Sequence, residues 1–130
     1  MITWKSSGHG PAADKSQVYH DKLAEAITKA SGGRLVIKSF VGGSVAPATE
    51  EIDAVDKGVL QMCYTCPMYN TDKWAAAGLI SSRPGGLAGE CLRVWFNYEG
   101  GADLMNEMME GFNVMTFPGA LSPLPAEVWA

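Results

Sequence analysis

A glycine pair, Gly32-Gly33, leads straight into Arg34-Leu35-Val36-Ile37-Lys38-Ser39-Phe40, and that run ends in Gly42-Gly43-Ser44-Val45-Ala46-Pro47. Glycines accept the left-handed conformation that stops a helix, the β-branched run favours a strand, and proline suits the first turn of a following helix. The segment therefore reads as helix, strand, glycine turn, helix. Open α/β sheets hold their ligands at the carboxyl ends of such strands, so that rim is where function is to be sought.

The same punctuation extends in both directions. Ile2 to Ser7 reads as a first strand, with Ile2 and Trp4 alternating against Thr3 and Lys5. Gly8-His9-Gly10-Pro11 is a loop, and a helix is expected from about Lys15 to Ala30. Asp14 or Ser16 can cap its start, and Tyr19, Leu23, Ile27 and Ala30 make an apolar stripe along it. His20 falls at the edge of that stripe and reads as a surface residue.

Leu35 to Val41 is the second strand. The second helix is expected to open at Pro47 and end at Gly58, with Ile52, Val55 and Val59 on its apolar side and Glu50, Glu51, Asp53 and Asp56 as a solvated face. Val59 to Cys66 is the third strand, apolar on both faces. Pro67 to Asp72 reads as a loop, Lys73 to Leu79 as a short helix, and Ser81 to Gly89 as a glycine-rich loop. A helical tract from about Glu90 to Glu110 breaks at Gly100-Gly101, with Leu104, Met105, Met108 and Met109 on its apolar face. Phe112 to Phe117 reads as a fourth strand. This order points to an α/β fold with an open, mainly parallel sheet and helices on both faces.

Bulk properties remove several classes of function. The chain has 130 residues, enough for one domain, and 47% of them are apolar, which is globular composition. Net charge is −4 with no basic patch, so nucleic acid is not an expected partner. No apolar run reaches the roughly 20 residues of a membrane span. No secretory signal is read at the start, so either the protein is cytoplasmic or the sequence begins at the mature end of an exported one. Three cysteines are an odd number and cannot all pair within the chain.

Chemistry-bearing groups are few. Cys63-Tyr64-Thr65-Cys66 has the spacing of a redox pair, but at the end of a strand its Cα atoms would lie about 10 Å apart at a rise of roughly 3.3 Å per residue. A disulfide tolerates about 7 Å, so buried structural cysteines are expected. A thiol oxidoreductase using Cys63 and Cys66 is the enzymatic alternative, and a flavodoxin-like cofactor protein is a third reading. No metal set, cofactor loop or catalytic triad is expected: Gly42-Gly43-Ser44 lacks the phosphate-loop pattern, and no serine sits in a Gly-x-Ser-x-Gly turn. The rim itself offers Ser6, Ser7 and His9 at the carboxyl end of the first strand and Thr65, Cys66, Met68 and Tyr69 at that of the third. These suit a small polar molecule with an apolar side. A convergent arginine for an anion is missing from that set.

Taken together, Ile2-Thr3-Trp4-Lys5-Ser6-Ser7, Ser31-Gly32-Gly33-Arg34-Leu35, Gly42 to Ala48, Ile52 to Gly58, Pro67-Met68-Tyr69, Trp95-Phe96 with Glu99-Gly100-Gly101, and Asn113 to Phe117 resemble the extracytoplasmic solute-binding receptors of TRAP transporters, in the branch that binds organic acids. The resemblance implies two α/β lobes that close over a carboxylate, with the gripping arginine on the second lobe. It further implies a periplasmic binding protein, not an enzyme, that delivers a small 2-oxo or 2-hydroxy monocarboxylate to a membrane permease. By position it makes Tyr69 the ligand-facing aromatic, with Ser6, Ser7, Thr65 and Cys66 at the cleft. Residues 1–117 would then form the first lobe and 118–130 a crossing segment towards a second. The cleft face and the Pro118–Ala130 tail should expose apolar surface, so a homodimer in which tails or cleft faces cover one another is expected.

Overall fold

A computed structural model describes residues 1–81, 86–87 and 89–117. The chain divides into two compact units, Met1–Ser81 and Ser82–Ala130. The crossing segment expected at 118–130 lies outside the described residues, as does most of the glycine-rich loop before Gly89.

In the first unit the elements run β1 (Ile2–Gly8), α1 (Lys15–Ala30), β2 (Leu35–Phe40), α2 (Glu51–Asp56), β3 (Met62–Tyr64), a single 3-10 turn (Pro67–Asn70) and α3 (Ala77–Ser81). The three strands are parallel in the order β2-β1-β3. Ser6 is opposite Ser39 on one side and Met62 on the other, and Ser7 is opposite Phe40 and Cys63. Successive side chains of a strand point to opposite faces. Ser6 meets His20 of α1 and Ser7 meets Glu51 of α2, so the two helices cover opposite faces of the sheet.

Local chemistry sets the boundaries. Asp14 caps α1 by accepting from the Ser16 amide, and the helix stops where Gly32 and Gly33 take φ of +61° and +77°. Gly42 belongs beside the first loop for another reason: a Cβ there would meet the backbone carbonyl carbon of His9 at 2.5 Å. Its amide donates to the Gly10 carbonyl, tying the end of β2 to the loop after β1. Lys73 braces α2, pairing with Asp53 at 2.9 Å and donating to the Thr49 carbonyl.

Several expectations need correction. The buried side of α1 carries Gln17, His20 and Ala24, while Tyr19 and Leu23 of the expected apolar stripe are exposed. This helix rests on the serines of the sheet, so its inner face is polar. Pro47 lies before α2, in a turn where the Glu50 amide donates to the Pro47 carbonyl. The acidic residues are not all solvated, because Glu51 has no exposed surface. Strand β3 keeps only three residues, and Val59 is half exposed. Buried apolar contacts of this unit come from Ile37, Ile52, Ala54, Leu60 and Ala77.

The second unit contains α4 (Gly89–Tyr98) and α5 (Gly101–Met108). They break at Gly100, whose φ is +86°. Gly101 packs so closely that a Cβ would stand 2.7 Å from the Phe96 Cα. Leu92, Phe96, Met105 and Met109 are buried. Phe112 to Phe117 is not a strand. Instead the Thr116 amide donates to the Asn106 side chain at 2.6 Å, and the Asn106 amide donates to the Thr116 carbonyl.

Candidate functional site

The order β2-β1-β3 reverses direction at β1: one crossover leaves it to one side, and the next returns past it to the other. In open parallel sheets the crevice at such a reversal, beyond the carboxyl ends of the strands, is where ligands sit. Here that point lies between the loop after β1 and the segment after β3. The structure brings His9, Tyr64 and Tyr69 together there. The His9 ring lies 5.5 Å from that of Tyr64 in a stacked arrangement and 5.7 Å from that of Tyr69 in a tilted one.

His9 is held twice by one acceptor. Its amide donates to the Tyr64 carbonyl at 3.1 Å, and its Nδ1 lies 3.0 Å from the same oxygen. A carbonyl only accepts, so Nδ1 carries a proton. The ring Nε2 has no hydrogen-bond partner among the described residues. Met68 is exposed, while Tyr69, Cys66 and Thr65 are half-buried; the Cys66 carbonyl accepts from the Tyr69 amide.

Ser6 and Ser7 sit beneath this rim, without exposed surface. Ser6 Oγ is 2.6 Å from His20 Nε2, and His20 Nδ1 is 3.0 Å from Ser39 Oγ. Ser39 donates its proton to Asp21 at 2.5 Å. With that proton committed, His20 Nδ1 must donate to Ser39, which leaves Nε2 to accept from Ser6. Gln17 completes the group by donating to Asp21 at 2.8 Å and to Ser39 at 3.2 Å. Gly8 has no side chain because a Cβ would stand 2.2 Å from Gln17 Oε1. Apolar periodicity puts His20 on the surface; it is instead the centre of a buried polar chain. Burial pushes its pKa down, with the Asp21 charge working the other way. The chain runs serine–histidine–serine–carboxylate, so no carboxylate bonds the imidazole directly as in an activated nucleophile, and Ser6 is sealed from any substrate.

On the opposite face Ser7 Oγ donates to Glu51 Oε1 at 2.9 Å. Burial raises the Glu51 carboxyl above the ordinary range, against the smaller opposing effects of the Ser7 and Thr65 hydroxyls. The folded protein thus holds this proton more tightly than the unfolded chain does. The group contributes most below the ordinary glutamate pKa, and that contribution is lost as pH rises through the folded value. Glu51→Gln keeps an acceptor for Ser7, so it is expected to raise Tm by about 2–4 °C at pH 8 and to leave it nearly unchanged at pH 4. Thermal melts at the two pH values check this; equal shifts at both would show that the charge is not the cause.

The cysteines form no disulfide. Burial, and then the Glu51 charge, pushes the Cys63 thiol up to about 12, the reverse of what a reactive thiolate needs. The described residues contain no group of three His, Cys, Asp or Glu side chains able to hold a metal ion. Arg34 is at the other end of the sheet from the rim, where its carbonyl accepts from the Ile2 amide. Arg93, in the second unit, pairs with Glu90 at 2.9 Å.

No protein-family model matches the chain. Over 117 residues it is 25% identical to a monocarboxylate 2-oxoacid-binding periplasmic protein of Nostoc sp. PCC 7120, covering 90% of this chain and 32% of that protein. Its fold is similar to that of a TRAP periplasmic solute-binding protein from Pseudoalteromonas atlantica, solved with sodium and pyruvate: TM-score 0.81, 24% identity, 91% of this chain and 36% of the other. A TRAP solute-binding protein from Bordetella bronchiseptica, with calcium and picolinate in its active site, gives a TM-score of 0.78 at 24% identity over 88% of this chain and 34% of its own. The chain spans about a third of the length of each. In sequence the chain is similar to one part of a periplasmic 2-oxoacid-binding protein, and its fold is that of one part of the TRAP periplasmic solute-binding proteins.

Proposed function

We propose that this chain supplies one ligand-facing lobe of a TRAP-type receptor, which takes up a small 2-oxo or 2-hydroxy monocarboxylate in the periplasm and presents it to a membrane permease. The observation that carries the reading is the match to the Nostoc 2-oxoacid-binding protein along 90% of the chain. It is supported by the gathering of His9, Tyr64 and Tyr69 at the reversal point of the sheet. His9, Thr65, Cys66, Met68 and Tyr69 form the contact surface, and Ser6 and Ser7 are its foundation, since their hydroxyls are spent on His20 and Glu51.

The chain binds; it does not catalyse. Ser6 is inaccessible and the Cys63 thiol is held protonated, so neither nucleophile is available. The sodium and calcium of the neighbours are no part of this reading. Two copies of the isolated chain associate through their cleft faces, covering exposed apolar side chains such as Met68; light scattering showing a monomer at high concentration would refute that.

Because the described rim offers no arginine, the isolated chain is expected to hold its acid with Kd in the millimolar range, about −4 kcal/mol. Calorimetry or NMR titration with 2-oxo and 2-hydroxy acids measures it. Sub-micromolar affinity would place the whole site, charge partner included, within these 130 residues. Absence of binding to every acid in the set would remove the functional reading.

A further inference from the structure

We propose that His9 makes this rim select acids bearing a hydroxyl on the carbon next to the carboxylate over their keto counterparts. The inference rests on the reading of the rim as an acid-binding face, and it narrows that reading to one ligand class.

Hydrogen-bond polarity separates the two kinds of acid. Hydroxyls such as those of Tyr64 and Tyr69 rotate, and each donates or accepts as its partner requires. They cannot tell a hydroxyl from a carbonyl. His9 differs because its orientation and its proton are both fixed. Its amide and its Nδ1 are drawn to the single Tyr64 carbonyl at 3.1 Å and 3.0 Å, and its ring is packed against Tyr64 and Tyr69. An imidazole with one proton, already committed at Nδ1, presents a lone pair at Nε2 and nothing else. A 2-hydroxyl donates to that lone pair. A 2-oxo oxygen meets it with lone pairs of its own and leaves both groups stripped of water and unpaired, which is the costly arrangement. A site built to take a hydroxyl proton rejects the analogue that lacks one.

Rotation does not rescue the keto acid. Turning the ring over would swap Nδ1 for the Cδ2 carbon and forfeit the bond to the Tyr64 carbonyl, moving the proton to Nε2 would aim the Nδ1 lone pair at that carbonyl, and the stacking contacts oppose tilting the ring away. Selectivity is thus written into the backbone, through the Tyr64 carbonyl, as much as into the histidine.

The test uses the 15N-labelled 130-residue chain at pH 8, titrated by NMR with L-lactate, D-lactate and pyruvate. The better lactate enantiomer is expected to bind at least fivefold more tightly than pyruvate. His9→Gln, whose amide turns to either polarity, is expected to bring the ratio within twofold. Ring 15N shifts of the unmodified protein should show the His9 proton on Nδ1, with the two histidines told apart by the variant. Pyruvate binding as well as lactate, an unchanged ratio in His9→Gln, or a proton on Nε2 would each overturn the proposal. Where the variant does not fold, the ratio and the ring shifts of the unmodified chain decide alone. Failure of all three acids to bind would overturn the functional reading as well, whereas binding without preference would overturn only this inference.

Discussion

His20→Ala is expected to destabilise the first unit by about 3–4 kcal/mol, although this residue is buried beneath the rim. The substitution removes two buried hydrogen bonds at once, to Ser6 and to Ser39. It also strands the Ser6 hydroxyl, and an unpaired buried polar group costs about 1–3 kcal/mol. Asp21 loses the dipole that reached it through Ser39. Urea denaturation of the variant measures the loss, and a change under about 1 kcal/mol would mean the polar chain holds nothing. The same residue sets a pH limit. Burial lowers its pKa in the folded state, so the unfolded chain takes up the proton first. Its stabilising contribution is complete above the ordinary histidine value of about 6.5 and is lost as pH falls below it. The wild type should therefore lose Tm between pH 7 and pH 5 faster than His20→Gln.

Leu60→Ala is expected to cost a further kind of stability, about 3 kcal/mol, by opening a cavity. Leu60 is 1% exposed and is the largest fully buried apolar side chain of the described residues. It stands where the chain leaves α2 for β3, its amide donating to the Ala54 carbonyl. Neighbouring Ile52 and Ala54 are also buried, so the truncated side chain leaves a hole between a helix and an edge strand only three residues long. Against a typical total of about 5–15 kcal/mol, such a loss is large. Leu60→Met, which conserves volume, should cost under about 1.5 kcal/mol. Comparable losses in the two variants would show that shape, not cavity volume, governs the site.

The elements with strong punctuation are legible in the amino-acid sequence by itself. Both ends of α1 follow from Asp14 and Gly32-Gly33, the break between α4 and α5 follows from Gly100-Gly101, and the rim follows from the order of strands and helices. What the sequence hides depends on partners. A strand exists only beside a neighbour, so β3 is three residues long and Phe112 to Phe117 bonds to Asn106 instead. The inner face of α1 is hidden because periodicity counts apolar residues, while the sheet presents serines there. A signal for it is nonetheless present. Adjacent serines at the end of a central strand send one hydroxyl to each face, and each needs a polar partner on the covering helix. His20 and Glu51 are those partners.

The placement of β1 between its two neighbours has a consequence for synthesis. Ser6 is opposite both Ser39 and Met62, so the earliest of these three strands to be synthesised is the one that must wait for both others. The β1–β2 ladder cannot form until Leu35 to Phe40 have emerged, β3 joins at Ser6 to Gly8 only after Tyr64, and contact between such distant segments is slow. During that interval a nascent Ile2-Thr3-Trp4 stands open to solvent, an inviting target for holdase chaperones.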